Sequence, residues 1–176
     1  MKRESGASLP VWVENISMPV TNPLRDNIKC DVCVVGAGIA GVTTAYLLAK
    51  EGRDVVLLEA KEVGGGETCR TTAHLSNALD ERFDELIRLF GEDGARLAAQ
   101  SHGKAIDKIE EIIKDENIDC DFARVDGYLF ATDNQQQEGL MRELEAVQKI
   151  GWLDVVLRKH SPLSTLTEFP CLQYPN

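Results

Sequence analysis

Three glycines, Gly36, Gly38 and Gly41, close the run DVCVVGAGIAG that begins at Asp31. Their G-x-G-x-x-G spacing suits the pyrophosphate of a dinucleotide. Gly36 permits a tight turn and Gly38 lets backbone come close to phosphate. Gly41 has no side chain to hold a helix away from a strand. The N–H groups at the start of that helix, with the positive end of its dipole, would face the anion. A carboxylate follows at Glu59, about 18 residues past Gly41, where a dinucleotide-binding unit places the acid that accepts hydrogen bonds from a ribose.

The elements that must position these residues are legible around them. The stretch 31–36 reads as a buried strand, 39–51 as a helix stopped before Gly52, and 54–59 as a second, parallel strand ending at Glu59. Beyond it, VGGGETCRTTAHL at 63–75 is too rich in glycine and threonine for a packed element. Its small residues would let backbone approach a flat ring, and its hydroxyls and N–H groups could satisfy phosphate or ring heteroatoms.

Further along, Phe83, Leu86, Ile87 and Phe90 fall at helical spacing and define one apolar face. Gly91 interrupts. A second helix is predicted over about 92–114, with Leu97, Ala98, Ile106, Ile109, Ile112 and Ile113 inside and Glu110, Glu111 and Lys114 in water. Segments 120–125 and 128–132 read as strands joined by Asp126 and Gly127, a dipeptide suited to a hairpin turn. A helix over about 135–150 stops at Gly151, a strand is expected over 153–157, and Pro162, Pro170 and Pro175 make the tail irregular. Residues 1–29, with Pro10, Pro19, Pro23 and the isolated Trp12 and Leu24, read as an extended arm over a folded body. Only two strands can be assigned near the glycines, too few for a complete nucleotide sheet.

Bulk composition narrows the partners. The chain has 176 residues, 43% hydrophobic and 27% charged, close to globular averages. A net charge of −10 argues against nucleic acid and against an anionic membrane surface. No apolar run is long enough to span a membrane, and no secretory leader is visible, so the expected location is cytoplasmic. Five cysteines fit reduced thiols. Cys30 and Cys33 are read as small buried residues on the first strand, pointing to opposite faces and not disulfide-bonded.

The ordered set GAGIAG, VVLLEA and GGGETCRTTAHL resembles flavoproteins of the D-amino-acid oxidase type, which include glycine and sarcosine oxidases. The likeness extends to bacterial members with a C-terminal Rieske domain. It is carried there by the Trp- and Pro-containing arm, the TTAHL loop, LFGEDGARL, IDCDF and DGYLF. The resemblance implies an α/β fold: a Rossmann-like FAD-binding βαβ unit with part of an α+β substrate domain. The expected divisions are the arm at 1–29, the first part of the FAD domain at 30–78, and an incomplete helical and substrate-domain segment at 79–176.

Carried onto these positions, Gly36, Gly38, Ile39, Ala40 and Gly41 would meet the FAD pyrophosphate, and Glu59 the adenosine ribose, with Ala60 beside it. Thr68 and the turn Thr72, Ala73 and His74 would run past the phosphates and flavin ring. Some relatives attach FAD covalently through a histidine in this loop. Arg70 stands at about that place here, so FAD is expected to be non-covalent. Cys69, Cys120 and Cys171 cannot supply Rieske ligands, so that cluster would need a downstream domain, and no metal is expected in this chain.

The implied activity is hydride transfer to flavin from a small amine or amino-acid substrate. No acid or base is assigned; His74 is the nearest candidate, with a structural role preferred, and the oligomeric state is left open. An NAD-dependent dehydrogenase, or an inactive truncated remnant, are the alternatives. The chain is expected to be an N-terminal fragment that by itself exposes sheet edge and holds FAD poorly.

Overall fold

The computed structural model describes residues 10–13, 16, 21–162 and 168–175. The chain divides into two compact units, Met1–His74 and Leu75–Asn176, a division slightly ahead of the one at 78 read from the sequence.

In the first unit, β1 (Val32–Val35) and β2 (Val55–Leu58) pair in parallel, from Val32 opposite Val55 to Val35 opposite Leu58. The crossover is α1 (Ile39–Lys50), packed on both strands. Parallel neighbours joined by one helix are what two short Val/Leu runs separated by a helical stretch require. The sequence made β1 a buried strand, and that needs correction. Val32 and Val34 are half-buried, whereas Cys33 is exposed and Val35 is 82% exposed. With α1 on one face of β1, alternate residues of that strand are covered and those between are not, whereas all four residues of β2 are half-buried. Cys30 precedes β1 and is half-buried, so neither cysteine is the buried apolar residue expected of it. All five thiols are free. Of the arm, Val11–Val13 form a 3-10 turn and 21–29 are exposed without regular structure. Its expected course through 1–9, 14–15 and 17–20 lies outside the described residues.

The second unit holds the main apolar core. Its helix α2 (Phe83–Asp115) bends at Gly91, whose φ of 72° and ψ of 172° break the helical path. The interruption read from the sequence is therefore real, and it changes which side chains face inward. Phe83, Leu86 and Ala95 are buried, while Phe90 and Leu97, expected inside, are 68% and 66% exposed. Helix α3 (Asn134–Lys149) starts with Asp133 Oδ1 accepting from the Gln136 N–H at 2.7 Å, an N-cap built from residues in sequence.

The sheet of this unit differs most from expectation. Three antiparallel strands stand in the order β3 (Gly127–Phe130), β5 (Cys171–Tyr174), β4 (Val156–Arg158). No hairpin forms at Asp126 and Gly127. Residues 120–126 are not a strand; Arg124 holds this stretch against α2 through Asp107 and Glu110, both at 2.6–2.8 Å. The expected irregular tail instead contains the central strand, β5. Cys171, Leu172 and Tyr174 are buried on it, and the flanking Pro170 and Pro175 bound it. Phe83, Trp152 and Tyr174 meet edge-on, with ring centroids 5.7 and 5.4 Å apart.

Among the described residues, no helix is long and apolar enough to cross a membrane. None of their His, Cys, Asp and Glu side chains group in a way that could hold a metal ion.

Candidate functional site

The glycine turn of the first unit is built by backbone that only glycine tolerates. Gly36 sits at φ +99°, in the left-handed region, and its N–H donates to Leu58 O at 2.8 Å, closing the end of the β1–β2 ladder. Gly41, on the first turn of α1, is packed hard against that turn. A Cβ there would lie 1.8 Å from Gly36 O. Helix and strand therefore approach to a distance that excludes any side chain at 41.

Ala37, between the two glycines, is fully buried. The sequence reading passed over it, although a small residue at that position was a visible signal. Its N–H donates to Glu59 Oε2 at 2.7 Å, and its carbonyl accepts from Gly64 N at 2.8 Å. Glu59 follows β2 directly, and its Oε1 accepts from Lys61 N at 2.9 Å. The Ala37 and Lys61 N–H groups hold this carboxyl below the usual carboxylate range, with the Ala60 N–H and the Lys61 charge adding to the effect. Glu59 is thus ionised at neutral pH and exposed to solvent at the mouth of the turn.

Helix α1 lacks an ordinary cap, since Gly38 has no side chain. The hydroxyl of Thr68 replaces it from the following loop, accepting from Ile39 N at 3.0 Å. A Cβ at 38 would lie 3.2 Å from the same oxygen. The first helical bond runs from Val42 N to Gly38 O. Among the described residues, no bond ties the N–H groups of Ala40 and Gly41, as expected of donors in a first helical turn.

Gly36, Gly38, Ile39, Ala40, Gly41, Glu59, Ala60 and Thr68 are therefore brought to one place. Thr72, Ala73 and His74 are exposed, and the bond recorded for them runs from Ala73 N to Thr71 Oγ1 at 3.2 Å. Between Glu59 and α2, the regular structure is a single 3-10 turn, Thr68–Arg70. His102 and His160 are exposed in the second unit.

A glycine turn at a helix start, an acid closing the next parallel strand and an irregular loop behind it form the arrangement with which Rossmann-type units hold a dinucleotide. Residues 31–173 match the family described as FAD dependent oxidoreductase, and the chain belongs to that family. It is 39% identical over 140 residues to a Bacillus subtilis protein named for a Rieske 2Fe-2S iron–sulfur centre, YhfW, covering 80% of this chain and 28% of that one. It is 37% identical over 129 residues to the gamma-glutamylputrescine oxidoreductase of Escherichia coli, covering 73% and 29%. Against the probable oxidoreductase OrdL of Haemophilus influenzae, identity is 32% over 135 residues, covering 77% and 31%. The chain spans less than a third of the length of these relatives.

Proposed function

We propose that the first unit holds FAD non-covalently through its glycine turn, as part of a longer flavoprotein that oxidises a small amine or amino acid. The observation that carries this reading is the Gly36–Gly41 contact. It presses α1 onto β1 and leaves the free Ala40 and Gly41 N–H groups at the helix start. With no acidic residue in the first turn of α1, nothing of like charge opposes a pyrophosphate there. The Ala37 and Ile39 donors are already taken by Glu59 and Thr68, so among the described residues Gly38, Ala40 and Gly41 are the amides of the turn left for phosphate.

Glu59, ionised and exposed, is suited to accept from the two hydroxyls of an adenosine ribose. Thr68 closes the turn from the other side. Thr72, Ala73 and His74 extend the same loop and would border the ring system through backbone. When bound, FAD supplies the hydride acceptor; these residues bind and orient it. Family membership favours FAD over NAD, and the E. coli relative, by its name, favours an amine substrate. The share of the relatives that is covered, and the exposed Val35 on β1, support reading the chain as the N-terminal part of such a protein. A cytoplasmic location and the absence of nucleic-acid and membrane partners belong to the same reading. A Rieske cluster would belong to a further domain.

The test is to purify the natural full-length protein and record its visible spectrum, then precipitate it with acid. Flavin absorbance that passes entirely to the supernatant is expected. A colourless protein, or flavin that stays with the pellet, would defeat the cofactor or the non-covalent part of the proposal respectively.

A further inference from the structure

We propose that Trp12 is a positioning residue for the loop after β2, fixing Thr71 and through it the exposed turn of Thr72, Ala73 and His74. This rests on the flavin reading above, which puts that turn beside the cofactor.

The indole N–H of Trp12 donates to Thr71 O at 2.9 Å, across 59 residues of sequence. Trp12 is 43% exposed, so burial of apolar surface accounts for only part of its placement. A directional bond to one carbonyl fixes the rest. The donor is also preorganised: Val13 N bonds Pro10 O at 3.2 Å, which closes the Val11–Val13 turn, and the ring of Pro10 fixes its own φ at the start of that turn.

The receiving end is strained. Ala73 has φ 57°, a left-handed conformation that a residue with a Cβ adopts only where its surroundings over-determine it. Thr71 Oγ1 accepts from Ala73 N at 3.2 Å, so the side chain of Thr71 holds the strained residue while its carbonyl is held by Trp12. The same loop is fastened earlier by Thr68 Oγ1 to Ile39 N. Besides the Gly64 N–Ala37 O bond at its start, the loop thus has one anchor to the cofactor helix and one to the N-terminal arm. Removing the second leaves Ala73 free to relax, and the backbone of 72–74 would lose its fixed course.

Trp12→Phe keeps an aromatic ring and removes the N–H, so it tests the bond apart from gross unfolding; Trp12→Ala removes both. In the full-length protein, FAD affinity by flavin-fluorescence titration should fall about three- to tenfold in Trp12→Phe, the size of one neutral hydrogen bond. The melting temperature of the flavin-free protein should be unchanged. A side chain serving only the fold would shift the melting temperature and leave affinity alone. Trypsin cleavage after the exposed Arg70 gives a flavin-independent readout and should be faster in both variants. Equal affinity and equal cleavage rates in wild type and Trp12→Phe would overturn the proposal. If wild type takes up no FAD, the flavin reading fails by itself. The tether is then judged by trypsin alone, faster cleavage supporting it and unchanged cleavage refuting it.

Discussion

Tyr174 Oη donates to Glu143 Oε1 at 3.1 Å, joining β5 to α3 at a point where the two residues are 4% and 2% exposed. The other carboxylate oxygen accepts from Phe83 N at 2.7 Å and Asp84 N at 3.3 Å. Those amides open α2, whose N-cap residue Arg82 makes no side-chain cap bond. Glu143 therefore caps α2 from a different helix, and one buried carboxyl ties three elements together. Burial pushes its pKa up, against the pull of the Asp84 and Phe83 N–H groups, the Tyr174 hydroxyl and the Arg82 charge. Burial, followed by the charge of Glu143, raises Tyr174 as well. Asp84, beside the cap, is paired with Arg142 at 3.5 Å.

A carboxyl raised above its unfolded pKa contributes stability that is fully present below the unfolded value and is lost as pH rises through the folded one. Wild type should therefore lose stability relative to Glu143→Gln as pH is raised above the ordinary glutamate value of 4.5. Urea unfolding at a series of pH values measures this; two parallel stability curves would refute a raised Glu143. Glu143→Ala strands the buried Phe83 N–H and Tyr174 hydroxyl and the part-buried Asp84 N–H; it should cost roughly 2–4 kcal/mol at pH 4.5 and less as pH rises, in parallel with Glu143→Gln.

Gly41→Ala and Gly66→Ala form a matched pair. The first puts a methyl 1.8 Å from a backbone oxygen, whereas the second meets nothing within 4 Å. Gly41→Ala should destabilise the first unit by about 3 kcal/mol, at the upper end for overpacking, and abolish flavin retention. Gly66→Ala should leave both intact. Chemical denaturation and the flavin content of the purified proteins check the contrast; similar behaviour of the two variants would contradict the packing described.

Glu59→Ala removes the acceptor from Ala37 N and Lys61 N and the carboxylate offered to the ribose. FAD affinity should fall about ten- to hundredfold, as for loss of a charge-assisted hydrogen bond. Riboflavin, which lacks the adenosine, should bind wild type and variant alike. An equal loss for both ligands would place Glu59 elsewhere than at the ribose.

Thiol reactivity should follow exposure. Exposed Cys33 and Cys120 should react first with a disulfide reagent in native protein. Cys171 should react last, being buried, with its thiol pKa raised by that burial and its Sγ–H directed at His160 O at 3.6 Å. Denatured protein should titrate five thiols without reductant. A lower count would mean a disulfide, against the five free thiols of the structure.

Local rules made the glycine corner readable. A turn residue with positive φ, a helix start and an acid closing the next strand are each fixed by neighbours in sequence, so Gly36, Gly41 and Glu59 could be placed beforehand. The bend at Gly91 was readable for the same reason. Long-range pairing was not. Asp126 and Gly127 carry a hairpin signal, but β3 finds its partner at 171–174, and nothing local in CLQY distinguishes a central strand from a tail. Glu143 carries no local signal that sets it apart from other helix acids, and its role exists only once α2 is docked on it. Trp12 reads as an isolated apolar residue until its N–H meets Thr71. Ala37 hid between two glycines that drew the attention.

The position of β5 also fixes an order of events. Helices α2 and α3 can begin to form as they are synthesised, because their hydrogen bonds close within a few residues. Strands β3 and β4 both hydrogen-bond to β5, and β5 also brings the hydroxyl that reaches Glu143. Until residues 171–174 leave the ribosome, the second unit has two strands awaiting a partner and a half-satisfied buried acid. A translational pause or premature stop just before Cys171 would therefore release a far stickier species than one just after Tyr174.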